Sequence, residues 1–191
     1  MWSPRPTARG SARLSLDPER ASARANGRKC AWWRREAKDS RTTFYGATFG
    51  SVEKTGRRWG HVTRAAGWGL NSRIHTVGDG AEWIQRQSQE VFGEQAHFLC
   101  DFFHVSEYLA AAAPVCRPKE PEQWRHTQQK RLKRGAVPQV IAALAEHLEP
   151  QSIQDQEAPV RQGHRYLSHR LDALDYPRRL GVGLADWLGP D

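Results

Sequence analysis

Cysteine is scarce in this chain of 191 residues, with only Cys30, Cys100 and Cys116. An odd count with no CxxC pair excludes a disulfide framework, a zinc finger and a dithiol redox centre, and it fits a reducing cytosol. Long apolar runs are missing too. The longest, Leu109 to Ala113 followed after Pro114 by Val115 and Cys116, falls far short of the roughly 20 residues of a bilayer span. No membrane contact is expected. The N-terminus has no apolar segment of signal-peptide type, although its Arg and Ser content overlaps that of transit peptides. No internal repeat is found.

What is abundant is positive charge. Lys and Arg number 29 against 21 Asp and Glu, the formal net charge is +8, the isoelectric point is near 9.9 and the mean hydropathy is -0.76. Hydrophobic residues at 38% and charged residues at 26% suit one domain with a real core and a basic surface. Residues 1–42 hold eleven Lys and Arg against four Asp and Glu, so nearly all of the excess lies there. Residues 1–27 lack apolar periodicity and read as a disordered basic arm. Either a solvated tail or a nucleic-acid arm that adds phosphate contacts has this composition.

The pattern tightens from Lys29. Cys30 to Ala37 and Thr42 to Phe49 are rich in β-branched and aromatic residues and predict strands. Ser51 predicts the N-cap of a helix through about Ala66, ended by Gly67 and Gly69. A strand over Arg73 to Val77 leads into Gly78-Asp79-Gly80 and an amphipathic helix from Ala81 to Phe92, with Ile84, Ser88, Val91 and Phe92 on one face. Ala96 to Phe102 predicts another strand, and Val105 to Ala113 a helix stopped by Pro114. Beyond Pro121 the chain turns helical: Glu122 to Arg134, Val137 to Glu149 and Ala158 to about Leu174. Alternation followed by helices predicts an α/β layer architecture with an all-helical C-terminal part.

Two carboxylates stand at predicted strand ends. Asp79, between two glycines, projects at the carboxyl edge of a sheet, where a hard cation such as Mg²⁺ finds oxygen ligands and open positions for phosphate and water. Asp-Gly also commonly makes an Asx-type turn that starts the next helix. Asp101 and His104 form a second cluster, D-F-F-H, in which His104 would cap or hydrogen-bond Asp101 and orient it. Cys100 with His104, near His97, supplies too few ligands for zinc.

The text of the chain is itself informative. TTFYGATFGSVE (Thr42 to Glu53), IHTVGDGAEWIQRQ (Ile74 to Gln87), FGEQAHFLCDFFHVSEYLAAAA (Phe92 to Ala113) and HRYLSHRLDALDYPRRLGVGL (His164 to Leu184) closely resemble bacterial insertion-sequence transposases of the ISKra type, relatives of the Mutator superfamily. The resemblance covers roughly residues 28 to 184. It implies an RNase H-like mixed sheet with flanking helices, here incomplete, over 28–114, and a helical insertion over 115–184. It also implies a DDE triad binding two Mg²⁺ ions for DNA cleavage and strand transfer. Asp79 matches the second catalytic Asp, and Asp101 with His104 matches the (Cys/Asp)-x-x-His motif that accompanies it.

The departures are as specific as the match. The family's first Asp lies on a strand upstream of a segment like Trp33-Arg34-Arg35-Glu36-Ala37. The only aspartate upstream here is Asp17, in Leu16-Asp17-Pro18, where no strand is predicted and Pro18 disfavours an interior one. Asn26-Gly27 offers a neutral amide instead of a carboxylate. The first ligand is therefore expected to be missing. At the other end the family continues Pro-Ile-Gly-Ser-Gly and then the catalytic Glu, whereas Ala185-Asp186-Trp187-Leu188-Gly189 stands here. Codons GCC GAT TGG CTC GGN, read one base later, spell the family motif, so a single-base frameshift at about position 185 and a non-family tail over 185–191 are expected. Asp186 and Asp191, beside Gly189-Pro190, have no rigid helix to hold them.

The expectation is thus a transposase fragment without turnover. The alternative is a remnant that binds DNA or docks on a full-length transposase, in the bacterial cytoplasm at the nucleoid, with homo-oligomerisation open. Lys130, Arg131, Lys133 and Arg134 at a helix end are candidate phosphate contacts, or a solvated face complementing the helix dipole. Trp32, Trp33, Trp59, Trp68, Trp83 and Trp124 are expected mostly in the core.

Overall fold

The computed structural model describes residues 11–16, 24–25, 28–37 and 43–180, with side chains over 50–178. The class is α/β, with more helix than strand. The described strands are β1 (Ser11–Leu16), β2 (Arg24–Ala25), β3 (Arg28–Ala37), β4 (Thr43–Gly50), β5 (Arg73–Gly78) and β6 (Ala96–Cys100). The helices are α1 (Val52–Ala65), α2 (Glu82–Phe92), α3 (Phe102–Cys116), α4 (Pro121–Lys133), α5 (Val137–Ala145), α6 (Pro159–Ser168) and α7 (Tyr176–Leu180). Two compact units divide the chain after Phe98.

Strand β1 has no counterpart among the sequence expectations. It lies between β3, antiparallel with Leu16 opposite Trp33, and β5, parallel with Ser15 opposite Val77. Its residues SARLSL alternate polar with apolar side chains, a period-two signal that the surrounding basic composition obscured. Strands β3 and β4 pair antiparallel from Lys29 with Gly50 to Glu36 with Thr43. Since β4 takes one edge of β3, β1 and the short β2 share the other. Across the sheet the order is β4, β3, β1, β5, β6.

In the first unit the core forms where helices cover β5, whose residues Ile74 through Gly78 are all buried. Trp59, Ile74, Ile84 and Phe92 are its centre, with Trp68, Trp83 and Phe98 packed against them. Trp59 stacks on Trp83 with ring centroids 6.4 Å apart, and Trp68 meets Phe92 edge-on at 5.2 Å. Ser51 caps α1 by accepting from the Lys54 amide at 3.3 Å, as its sequence position predicts. Helices α1 and α2 approach closely because Gly56 leaves room for Gln87: a β-carbon there would lie 2.5 Å from Gln87 Nε2 and 2.9 Å from its Cγ.

The second unit is helical, and its bounds depart from the sequence expectations for packing reasons. Helix α3 runs through Pro114 to Cys116. The exposed proline forfeits one backbone bond, but Ala112, Ala113 and Cys116 beside it are buried, so the burial of these three outweighs the loss. Helix α5 ends at Ala145 rather than Glu149. Glu149 instead caps α6, its two carboxylate oxygens accepting from the amides of Val160 and Arg161 at 2.8 Å each. Helix α6 stops at Ser168, and the break lets Leu174 and Tyr176 both reach complete burial.

Candidate functional site

Asp79 is the residue directly after β5. It is half-buried, and its Oδ1 accepts from the Ala81 amide at 2.9 Å. Gly80 at φ 77° closes this Asx turn in backbone territory that a side chain would strain. Gly78 is equally constrained, since a β-carbon on it would lie 3.2 Å from Ile84 Cδ1. The Asx-turn reading of the Gly-Asp-Gly motif is thus the one observed, and the turn that starts α2 holds the carboxylate at the carboxyl end of β5.

Asp101 directly follows β6 and caps α3, its Oδ1 accepting from the Phe103 amide at 2.9 Å. It is buried, and desolvation pushes its pKa above the usual carboxylate range against the opposing pull of the Phe103 amide. His104 does not orient Asp101 through its ring nitrogen. Its Nδ1 pairs with Glu107 Oε2 at 3.0 Å, and its ring meets Tyr108 and Tyr166 edge-on at 5.4 and 5.7 Å. One helical turn separates His104 from Glu107, which makes this pairing the local one. Tyr166 and Tyr176 are both raised, first by burial, and Tyr176 donates its hydroxyl to the Cys100 carbonyl at 3.2 Å. The D-F-F-H cluster thus serves as a helix cap inside an aromatic nest.

The basic cluster at the end of α4 is divided. Lys130 and Arg134 are exposed, Arg131 donates to Gln128 Oε1 at 3.1 Å, and Lys133 lies over the Phe102 ring at 5.6 Å. Trp124, half-buried, lines with Arg131 a cavity of about 520 Å³ between α4 and α5. Asn26, Gly27, Asp17 and the whole of 181–191, with Asp186 and Asp191, lie outside the described residues.

Among the described residues no group of three or more His, Cys, Asp or Glu could hold a metal ion. They supply Asp79 and Asp101 as carboxylates directly after strands, Asp101 being engaged as a helix cap, and these do not make the two-ion site that the transposase resemblance implies. No helix among the described residues is long and apolar enough to cross a membrane. No known family, curated protein or solved structure matches the chain.

Strand β1 changes which residues matter. Leu16 ends β1 and Gly78 ends β5, the two strands pair in parallel with Ser15 opposite Val77, and each is followed in the sequence by an aspartate, Asp17 and Asp79. Sequence patterning discarded Asp17 because no strand was expected before it. The alternation of Ala12, Leu14 and Leu16 was the signal available.

Proposed function

We propose that this chain is a DNA-binding protein of RNase H-like type, derived from an insertion-sequence transposase and without a complete set of catalytic carboxylates. The observation that carries the reading is the parallel pairing of β1 with β5 and the aspartate that follows each. Its support is threefold. Three antiparallel strands, β4, β3 and β1, continue into β5 and β6 as they do in that fold; groups that act on phosphate gather outside the carboxyl ends of parallel strands; and the formal charge of +8 favours a polyanion.

In this reading Asp79 would hold a divalent cation, Mg²⁺ or Mn²⁺, which in such sites polarises a phosphate oxygen as a Lewis acid, and Asp17, which follows β1 in the sequence, is the candidate for a second carboxylate. Strand transfer needs a further carboxylate on a rigid element. The family places it after a motif that residues 185–189 replace, so binding without turnover is the expected behaviour. DNA as partner assigns the protein to the bacterial cytoplasm at the nucleoid. Competition with a full-length transposase for insertion-sequence ends is the corresponding biological role.

Manganese binding followed by electron paramagnetic resonance tests the acid pair. Asp17→Asn and Asp79→Asn are each expected to weaken Mn²⁺ binding at least about tenfold, no less than the loss of an outer-shell partner costs a metal site. Wild-type affinity in Asp17→Asn would remove the pair and the reading with it. In a plasmid-nicking assay with Mg²⁺ or Mn²⁺, the wild type and Asp79→Ala are expected to be equally inactive. Metal-dependent nicking by the wild type alone would show that a full site exists.

A further inference from the structure

Helix α1 carries a feature that the acid pair does not use. Lys54, Arg57, Arg58, His61 and Arg64 are all exposed, whereas Thr55, Gly56, Trp59, Gly60 and Thr63 are buried. At 3.6 residues per turn the exposed set falls within an arc of about 120°, opposite the buried set, and runs about 15 Å along the axis. The acid on this helix is Glu53, in its first turn beside Ser51.

The charges of this row are little used internally. The side chains of Lys54, Arg57, Arg58 and His61 make no hydrogen bond or ion pair with another described residue, and Arg57 acts on Glu53 only as a nearby charge. Arg64 lies over the Trp68 ring at 5.4 Å. Some cations elsewhere are paired, Arg125 with Glu122 and both Arg161 and Arg165 with Asp155, whereas Lys130 and Arg134 at the end of α4 are exposed like this row. A row of like charges one helical turn apart repels itself, which costs stability. Its presence opposite a glycine-bearing, close-packed face calls for an external anion.

We propose that the outer face of α1 docks on the phosphate backbone of duplex DNA. The row is of one sign and about 15 Å long, and duplex DNA presents one negative charge per roughly 1.7 Å of its axis. An anionic lipid surface would call for apolar side chains on the same face to insert among acyl chains. The large apolar side chain of this helix, Trp59, is instead fully buried. No base edge is read by such a row, so the contact positions DNA without selecting sequence. The choice of DNA rests on the function proposed above, but the contact involves neither Asp17 nor Asp79.

The test is fluorescence anisotropy with a short labelled duplex over a salt series, comparing the full chain with Lys54→Gln/Arg57→Gln/Arg58→Gln. Glutamine keeps helix propensity at exposed positions. Losing three phosphate contacts is expected to reduce the slope of log affinity against log salt by about 3 and to weaken low-salt binding at least about tenfold. Arg57→Lys/Arg58→Lys, which keeps the charge, is expected to retain the slope. An unchanged slope in the glutamine variant overturns the proposal, as does stronger binding of the wild type to phosphatidylserine vesicles than to the duplex.

Should the triple variant fail to fold, acetylation of Lys54 in the wild type gives the second measurement. DNA is expected to protect Lys54 at low salt and release it at high salt, and equal labelling with and without DNA overturns the contact. Asp17→Asn/Asp79→Asn is expected to lose Mn²⁺ while keeping the salt slope, so failure of the acid pair and failure of this surface are read separately.

Discussion

At the scale of single residues, Asp101 shows how a local role and a functional motif coincide. Its carboxylate caps α3, and burial raises its pKa. The native state therefore holds the proton more tightly than the unfolded chain. That contribution to stability is full below the ordinary carboxylate value and is lost as pH rises through the raised native one. Asparagine caps about as well as aspartate and carries no charge. Asp101→Asn is expected to be more stable than the wild type at neutral pH, with the gap closing toward acid in urea melts across that range. Asp101→Ala loses the cap, at a cost of about 1 kcal/mol.

Cysteine reactivity is a residue-scale matter too. Cys100 and Cys116 are buried free thiols, and burial with the nearby Glu149 charge pushes Cys116 up to about 11. Neither is expected to be alkylated by iodoacetamide in the folded protein at neutral pH, while both label in denaturant. Peptide mapping of the alkylated protein checks this. Rapid native labelling of Cys116 would contradict its placement.

At the scale of elements, the informative pair is α1 against α2. Gly56 faces Gln87 so closely that a β-carbon would meet Cγ as well as the terminal amide, and turning the end of the side chain cannot relieve that. Gly56→Ala should therefore destabilise by about 1–3 kcal/mol, despite the better helix propensity of alanine. Denaturant melts measure the difference, and a stabilised variant would show that the helices separate freely. Helix-forming periodicity located α1, α2 and α4 to within one or two residues. It missed the run of α3 through Pro114 and the early end of α5, because the burial of Ala113 and Cys116 on either side of an exposed proline and a glutamate turned toward α6 answer to packing partners distant in the sequence.

At the scale of the whole molecule, strand β1 decides the architecture. It joins the antiparallel β3 to the parallel β5, so removing residues 1–16 leaves both neighbours with an unpaired edge. That deletion is expected to cost several kcal/mol, a large share of the ~5–15 kcal/mol a domain holds, and to abolish cooperative unfolding in circular-dichroism melts. If β1 were dispensable the melt would be unchanged.

Local chemistry along the chain determined the helix caps, the strand–turn–helix around Asp79, the basic excess and the lack of a membrane span among the described helices. These depend on neighbours a few residues apart. Tertiary structure alone decided that Ser11–Leu16 is a strand and that β1 lies parallel to β5. It also decided that β4 and β1 take opposite edges of β3. Strand pairing is set by partners far away in sequence, and whether a side chain is buried depends on what folds over it.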